Sequence, residues 1–238
     1  MNCPYPVSPS DYRKLKRKVY NCGLNGGREM DELEEHNIKR FNKWASSYDT
    51  GIMSIFFKMC YRKIRPLLNL QDGMKLLDVG CGTGGLLKEI SGSGKEVNLY
   101  GIDLSPEMIR AAKVKLKDEK HVELYEGSAA NLPFESNYFD YVVCMNSLHH
   151  HADPNQSLTE MTRVLKPGGA MILMDGFVGS ALRKIFSRIA NVLRNEGKVH
   201  RFKKGELQRI FRSLGYESIT QQTFLFSMLI TCGTKAGR

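Results

Sequence analysis

Long apolar runs are missing from this chain of 238 residues. No window is long and apolar enough to span a bilayer, and the longest apolar stretches, around Tyr141–Met145 and Ala170–Met174, have strand length. The start, MNCPYPVSPSDYRKLKRK, is polar and Pro-rich and has no apolar stretch of signal-peptide type. A cytoplasmic protein is the expectation. Paired cysteines are missing too. The six cysteines, Cys3, Cys22, Cys60, Cys81, Cys144 and Cys232, form no CxxC pair and are irregularly spaced. That argues against a disulfide framework and against a zinc site, and reads as reduced structural thiols. Internal repeats and low-complexity tracts are absent as well.

What is present is ordinary for a globular chain, with 42% hydrophobic and 25% charged residues. The length suffices for one substantial core and favours one domain slightly over two. The net charge of +10 is concentrated in RKLKRK (Arg13–Lys18) and between Arg183 and Lys204. Such a charge admits nucleic acid, anionic lipid or a phosphorylated substrate as partner, but many soluble proteins carry it without one.

Up to about Asn69 the chain reads as helical after a loose start. The run DELEEHNIKRFNKWASSYD places Leu33, Ile38, Phe41 and Trp44 near helical period, Thr50-Gly51 breaks it, and a further helix over Ile52–Leu68 is interrupted at Pro66. From Lys75 the pattern changes to short apolar runs alternating with amphipathic stretches. KLLDVG, VNLYGIDL, HVELYEGS, FDYVVCMN and AMILMDG read as strands. The helix SPEMIRAAKVKLK between them starts on Ser105 as N-cap, Pro106 at the first helical position and Glu107 in the first turn. A helix over DPNQSLTEMTRVL is expected to end at Pro167-Gly168-Gly169, with further helices over Ala181–Arg194 and Lys204–Leu214. Two β-rich runs close the chain with no helix between them, which makes that pair an antiparallel hairpin at a sheet edge. The expected fold is α/β: a doubly wound, mostly parallel, seven-stranded sheet with an antiparallel C-terminal hairpin and an N-terminal helical cap.

The stretch LLDVGCGTGG, Leu76–Gly85, carries the chemistry. Gly80, Gly82 and Gly84 fall at alternate positions just after the first strand. Ligands of open α/β sheets bind at the carboxyl ends of strands where strand order reverses. Glycine there lets the backbone turn tightly and lets a ligand approach it, and the helix opening near Gly84 offers unpaired N–H groups. Asp103 ends the second strand about twenty residues past the loop. A carboxylate at that place accepts hydrogen bonds from ribose hydroxyls, and its two oxygens suit a vicinal diol. An adenosine-like ligand is the expectation. By itself, GxGxG specifies no more than that.

Further segments occur in order: YGIDLSPEMI, EGSAANLPFESNYFDYVV, NSLHH and EMTRVLKPGG. With LLDVGCGTGG they make the chain resemble the class I S-adenosylmethionine-dependent methyltransferases, methyltransferase type 11, in the branch of the ubiquinone and menaquinone enzymes. The resemblance covers roughly Leu76–Asp175, with a fainter echo in FNKWASSYD. It implies S-adenosylmethionine as cofactor and S-adenosylhomocysteine as product. It implies residues 1–69 as a cap or lid and residues 70–238 as the methyltransferase domain, with a helical insertion at about 177–204. Asp78, Gly80, Cys81 and Gly82 would lie along the methionine part, Asp103 on the ribose, and Leu104 on the adenine. Ser128, Ala129 and Ala130 would lie at the adenine edge, and Asn146 near the methyl group in transit. Ser128 stands where the family often has aspartate, so adenine contact there would rely more on backbone groups.

Methyl transfer from a sulfonium is an in-line displacement with a good leaving group, so the protein mainly aligns the reacting atoms. A proton acceptor is needed only where the methyl acceptor must lose a proton. His149, His150 and His151 follow the fourth strand, and Asp175 ends the fifth at the same sheet edge. His149 and His150 are the candidate bases, and Tyr48 is a third candidate catalytic residue. Three consecutive histidines in a short turn point in different directions, so no metal site is expected. Tyr48 is expected over the cofactor with Trp44 packing the lid down, the alternative being that both simply pack helices. The run SALRKIFSRIANVLRN puts Leu182, Ile185, Phe186, Ile189 and Leu193 on one face. It reads as a lid over an apolar substrate, a helix touching membrane, or a helix packed on the sheet.

The leading expectation is methylation of a small-molecule acceptor, apolar or aromatic, with peripheral membrane contact as an option. An RNA methyltransferase is the alternative raised by the charge; against it, NSLH (Asn146–His149) stands where base aminomethylation usually has an Asn/Asp-Pro-Pro-aromatic motif, and no separate RNA-binding module is evident. A nicotinamide-dependent oxidoreductase is opposed by the GxGxG spacing and the KPGG turn. A catalytically silent cofactor-binding regulator stays open, because methyl transfer needs so few dedicated side chains. The sequence assigns neither the acceptor atom nor the oligomeric state.

Overall fold

Leu76 to Val79 are all buried, as a strand covered on both faces requires. In the computed structural model, which describes residues 32–178, 200, 202–225 and 228–237, they belong to β1 (Lys75–Val79) at the centre of the sheet. β1 pairs in parallel with β2 (Asn98–Asp103) on one side and with β4 (Phe139–Met145) on the other. β3 (Val122–Glu126) flanks β2, and β5 (Leu165–Val178) flanks β4, both in parallel. The full order is β3-β2-β1-β4-β5-β8-β7, with β7 (Tyr216–Phe224) at the edge and β8 (Met228–Lys235) antiparallel to both β5 and β7. Strand order therefore reverses at β1, which puts the glycine loop at the switch point.

The seven strands of this path are the expected ones. An eighth, β6 (Phe202–Lys203), pairs with the end of β5. Two residues carry no periodicity, so no sequence pattern could have shown it. The KPGG turn is a correction. Helix packing ends at Val164, and Lys166–Gly169 lie inside β5 rather than before it. Phe139 pairs with Leu165 and Tyr141 with Ala170, so β5 spends five residues where β4 spends two, and the surplus loops out as a bulge.

The α-helices among the described residues are α1 (Glu32–Trp44), α2 (Gly51–Ile64), α3 (Gly85–Ser91), α4 (Pro106–Lys115), α5 (Pro154–Val164) and α6 (Glu206–Ser213). Ser105 caps α4 as expected: its Oγ accepts the Met108 N–H at 3.1 Å. Asp153 caps α5 in the same way, accepting the Gln156 N–H at 2.9 Å. Alternation along the strands splits the core into two layers. Leu77, Val79, Tyr100, Ile102 and Val142 pack with α5 and α6 on one face. Leu76, Leu99, Val143 and Ile172 pack with α2, α3 and α4 on the other. The N-terminal run Arg13–Lys18 and the expected helix Ala181–Arg194 lie outside the described residues.

Candidate functional site

The glycine loop is pinned to the end of β2 by its own backbone. The N–H groups of Gly80 and Cys81 both donate to Ile102 O, at 2.8 and 3.1 Å, and the Gly82 N–H donates to Asp103 Oδ2 at 2.8 Å. Gly80 and Gly82 hold φ of 73° and 53°, the left-handed region that only glycine enters freely. A side chain is also excluded at Gly80 for a tertiary reason. A Cβ there would sit 1.9 Å from Ser147 Oγ. At Gly82 the nearest atoms are on the Tyr48 ring, 3.8 Å away. One glycine makes room for the turn after β4, and the other faces an aromatic ring across an open cavity.

That cavity runs along the carboxyl ends of the strands. Its floor is Val79, Gly80 and Gly82 after β1, Ile102 to Ser105 after β2, Gly127 to Ala130 after β3, and Asn146 and Ser147 after β4. Neighbouring strands lie about 4.8 Å apart, so the β1, β2 and β3 ends form a row about 10 Å long. α1 forms the roof. Glu34, Asn37, Ile38 and Phe41 line the cavity at i, i+3, i+4 and i+7, one stripe of a helix. Polar ties hold the roof in place. Asn37 Nδ2 donates to His150 O at 2.8 Å, Ser128 Oγ to Glu34 Oε1 at 3.2 Å, and Ser105 Oγ to Asn42 Oδ1 at 2.7 Å. Beyond the helix, Thr83 Oγ1 donates to Asp49 Oδ1 at 3.0 Å, and Lys115 pairs with Asp49 at 2.7 Å.

An aromatic series joins this roof to α2. Tyr48 stacks on Phe57 with ring centres 4.7 Å apart, Trp44 meets Tyr48 edge-on at 4.9 Å, and Phe41 meets His150 edge-on at 5.0 Å. Tyr48 also lines the cavity, so one ring both packs on Phe57 and faces the space over the glycine loop. Burial and the nearby Asp103 hold its hydroxyl well above the usual phenol range.

The electrostatics of the cavity oppose those of the chain. Among the described residues that line the cavity are Glu34, Asp103 and Asp153, and no Lys or Arg. Beneath it Asp78 is buried, with Oδ1 lacking a hydrogen-bond partner. Burial, with Asp103 nearby, pushes the Asp78 carboxyl up to about 8. Burial also raises Asp103, while the Ser105 and Gly82 N–H groups pull it back. Asp103 Oδ1 accepts from Ser105 N at 2.9 Å and Oδ2 from Gly82 N, and each oxygen keeps a lone pair for a further donor.

The histidine turn separates its three rings. His149 Nδ1 lies 2.5 Å from Asp175 Oδ1, and the His149 N–H donates to Asp175 Oδ2 at 2.9 Å. Asp175 is buried within β5, which runs on to Val178 rather than ending there as expected; it stands one residue past the last pair with β4, Met145 with Met174. His151 Nε2 lies 3.0 Å from Ser147 Oγ, and burial drives its pKa down to about 4, leaving a neutral ring. His150 lines the cavity, with its ring 3.9 Å from that of His149.

Of the residues singled out by sequence, Tyr48, Gly80, Gly82, Asp103, Leu104, Ser128, Ala129, Ala130, Asn146 and His150 come together in one wall. Asp78, Cys81 and His149 are not in it. Cys81 points into the core, where its Sγ would lie 2.9 Å from a Cβ on Gly101. Asp78 lies under the loop, and His149 stands behind His150. Glu34, Asn37 and Asp153 were missed. The signal for the first two was present: polar residues at the stripe positions of an otherwise amphipathic helix.

Residues 77–173 match the family described as a methyltransferase domain. A demethylmenaquinone methyltransferase of Staphylococcus saprophyticus is 30% identical over 235 residues, covering 90% of this chain and 94% of that protein. One from Bacillus mycoides is 37% identical over 153 residues; that match spans 62% of this chain and only 64% of the relative's length. Among solved structures, the magnesium protoporphyrin IX methyltransferase of Synechocystis PCC 6803, with bound SAH, superposes with a TM-score of 0.67 at 17% identity, covering 86% of this chain and 100% of that one. The YcgJ protein of Bacillus subtilis does so with 0.65 at 16% identity, covering 75% and 99%. At these identities the structures speak for the fold alone.

Proposed function

Because the chain belongs to the class I S-adenosylmethionine-dependent methyltransferases, in the branch of the ubiquinone and menaquinone enzymes, we propose that it methylates a small-molecule acceptor of the quinol or phenol type. The observation that carries this reading is charge. In a chain of net charge +10, the described residues that line the cavity at the strand ends include carboxylates and no Lys or Arg. Such a wall repels phosphate and attracts a cation. A sulfonium nucleoside with an amino-acid tail fits it, whereas a dinucleotide with its pyrophosphate does not. The RNA alternative draws nothing from this site, since α1 roofs the cavity with anionic and apolar side chains.

The residues present fit that cofactor. Asp103 faces the cavity with lone pairs to spare for a ribose diol, and the unpartnered Asp78 Oδ1 lies below the methionine end. Asn146 adopts φ 52°, a left-handed turn that suits asparagine and brings it to the cavity at the end of β4. When bound, the cofactor supplies an electrophilic methyl on a positively charged sulfur. Gly80 and Gly82 would hold the methionine part, Asp103 the ribose, and Ser128 to Ala130 the adenine. Asn146, Ser147 and His150 at the β4 end would then lie beside the methyl group. Asn37 and Phe41 close over that end and exclude water.

In this reading the proton acceptor is the His149–Asp175 pair, which a substrate would meet past the His150 ring that stands between it and the cavity. With Nδ1–H given to Asp175, the ring's Nε2 carries the lone pair. A phenolic or quinol hydroxyl that loses its proton to Nε2 becomes an electron-rich nucleophile at oxygen or ring carbon. The deprotonated acceptor would then take the methyl group that the cofactor supplies, with the neutral thioether as leaving group. The apolar side chains at the roof suit such a ring. The test is transfer of a tritiated methyl group from S-adenosylmethionine to a demethylmenaquinol analogue with a short side chain. Label in the extracted quinol is the expected result. A well-folded protein that turns over none of a panel of quinols and phenols would overturn the acceptor assignment.

A further inference from the structure

Glu34 lies in the first turn of α1, far in sequence from the sheet, yet it lines the cavity beside the β3 end. Its Oε1 accepts from Ser128 Oγ at 3.2 Å. We infer that Glu34 is the residue that reads the amino edge of the adenine, so that the lid helix, and not the sheet, sets the base specificity of the cofactor site. This rests on the cofactor reading above.

With ribose at Asp103, the base lies over the next strand end, at Ser128, Ala129 and Ala130. Ile38, Leu104 and Met108 give its faces apolar contact. Its exocyclic amino group is a donor and seeks an acceptor in the plane of the ring. The side-chain acceptors lining the cavity include Asn37, Ser128, Asp153 and Glu34. Ser128 Oγ already accepts the Ala130 N–H at 3.3 Å and donates its own proton to Glu34. The Ala130 carbonyl takes Gln156 Nε2 at 3.4 Å, and Asp153 caps α5. The Glu34 carboxylate has four lone-pair sites, and the Ser128 proton takes one. Ser128 thus acts as the bracket that aims the carboxylate. A small residue at 128 leaves room for a carboxylate that arrives from the lid. Cofactor binding and lid closure are then one event, because the base acquires its partner only when α1 is docked.

A carboxylate accepts from an amino group but repels a ring oxygen in the same place. The test is calorimetric titration of the full chain with S-adenosylhomocysteine and with S-inosylhomocysteine, in which a carbonyl replaces the amino group. Wild type is expected to favour the adenine compound by about tenfold or more, as a charge-assisted hydrogen bond implies. Glu34→Gln, whose amide can donate to the carbonyl, is expected to bring the two affinities within about threefold of each other. The exchange is isosteric and sits on a half-exposed first turn, so the fold is retained. An unchanged preference in Glu34→Gln, or equal binding of both compounds by wild type, would overturn the Glu34 assignment and leave the cofactor reading standing. Wild type that binds neither compound would overturn both.

Discussion

The imidazole of His149 and the carboxylate of Asp175 meet at 2.5 Å, joining the turn after β4 to a buried position within β5. Asp175 also accepts the His149 backbone N–H, so one carboxylate fixes both the ring and its main chain. Asparagine cannot do both. Its oxygen satisfies one donor, and its NH2 group then faces the other. Asp175→Asn is therefore expected to lower kcat by about tenfold or more, and His149→Gln by about a hundredfold or more. The affinity for S-adenosylhomocysteine stays within about twofold in both, since neither residue lines the cofactor wall. Steady-state kinetics with parallel titrations check this. Loss of cofactor affinity at unchanged kcat would mean a structural role only.

Gly80 and Ser147 test the tertiary reason for the loop. Gly80→Ala meets both a positive φ and a Cβ position 1.9 Å from Ser147 Oγ. We expect a loss of about 2–4 kcal/mol in denaturant unfolding. Adding Ser147→Gly removes the clash but not the backbone strain, so about half of that loss is expected to return. Gly94→Ala shares the positive φ with nothing within 4 Å, and is expected to cost only about 1 kcal/mol. Equal costs at the two glycines would contradict the close approach.

Asp78 predicts a pH dependence of the ligand-free protein. Its carboxyl is raised from 3.8 to about 8 by burial and by Asp103. The folded state therefore holds this proton more tightly than the unfolded chain. The contribution is fully present below pH about 4, and it is lost as pH rises through about 8. Asp78→Asn, which stays neutral throughout, is expected to flatten this part of the stability profile and to gain on wild type as pH rises from 5 to 8. Urea midpoints across that range measure it. A wild type that gains stability relative to Asp78→Asn with rising pH would contradict an elevated carboxyl.

Local chemistry made much of this fold legible. β1 follows from an unbroken apolar run, and α4 from Ser105-Pro106-Glu107, because strands buried on both faces and helix caps are written in adjacent residues. The glycine loop and Asp103 were legible because the switch point of a doubly wound sheet fixes where they fall. What escaped depends on distant chain. The clash at Gly80 is made by Ser147, 67 positions on. The expected reason for that glycine, a ligand against the backbone, therefore covers only part of its role. Glu34 and Ser128 lie 94 positions apart, and no spacing rule joins them. KPGG read as a stop between helix and strand because Pro and Gly punctuate locally. The pairing of Leu165 with Phe139 draws the strand back across it.

In our proposal Asp103 holds S-adenosylmethionine in the cavity over the glycine loop. Calorimetric titration of wild type and Asp103→Ala with S-adenosylmethionine and S-adenosylhomocysteine tests it. Saturable binding of both by wild type is expected, weakened at least tenfold, about 1.4 kcal/mol, by the substitution. A folded wild type that binds neither, or an Asp103→Ala variant that binds as tightly as wild type, would contradict it.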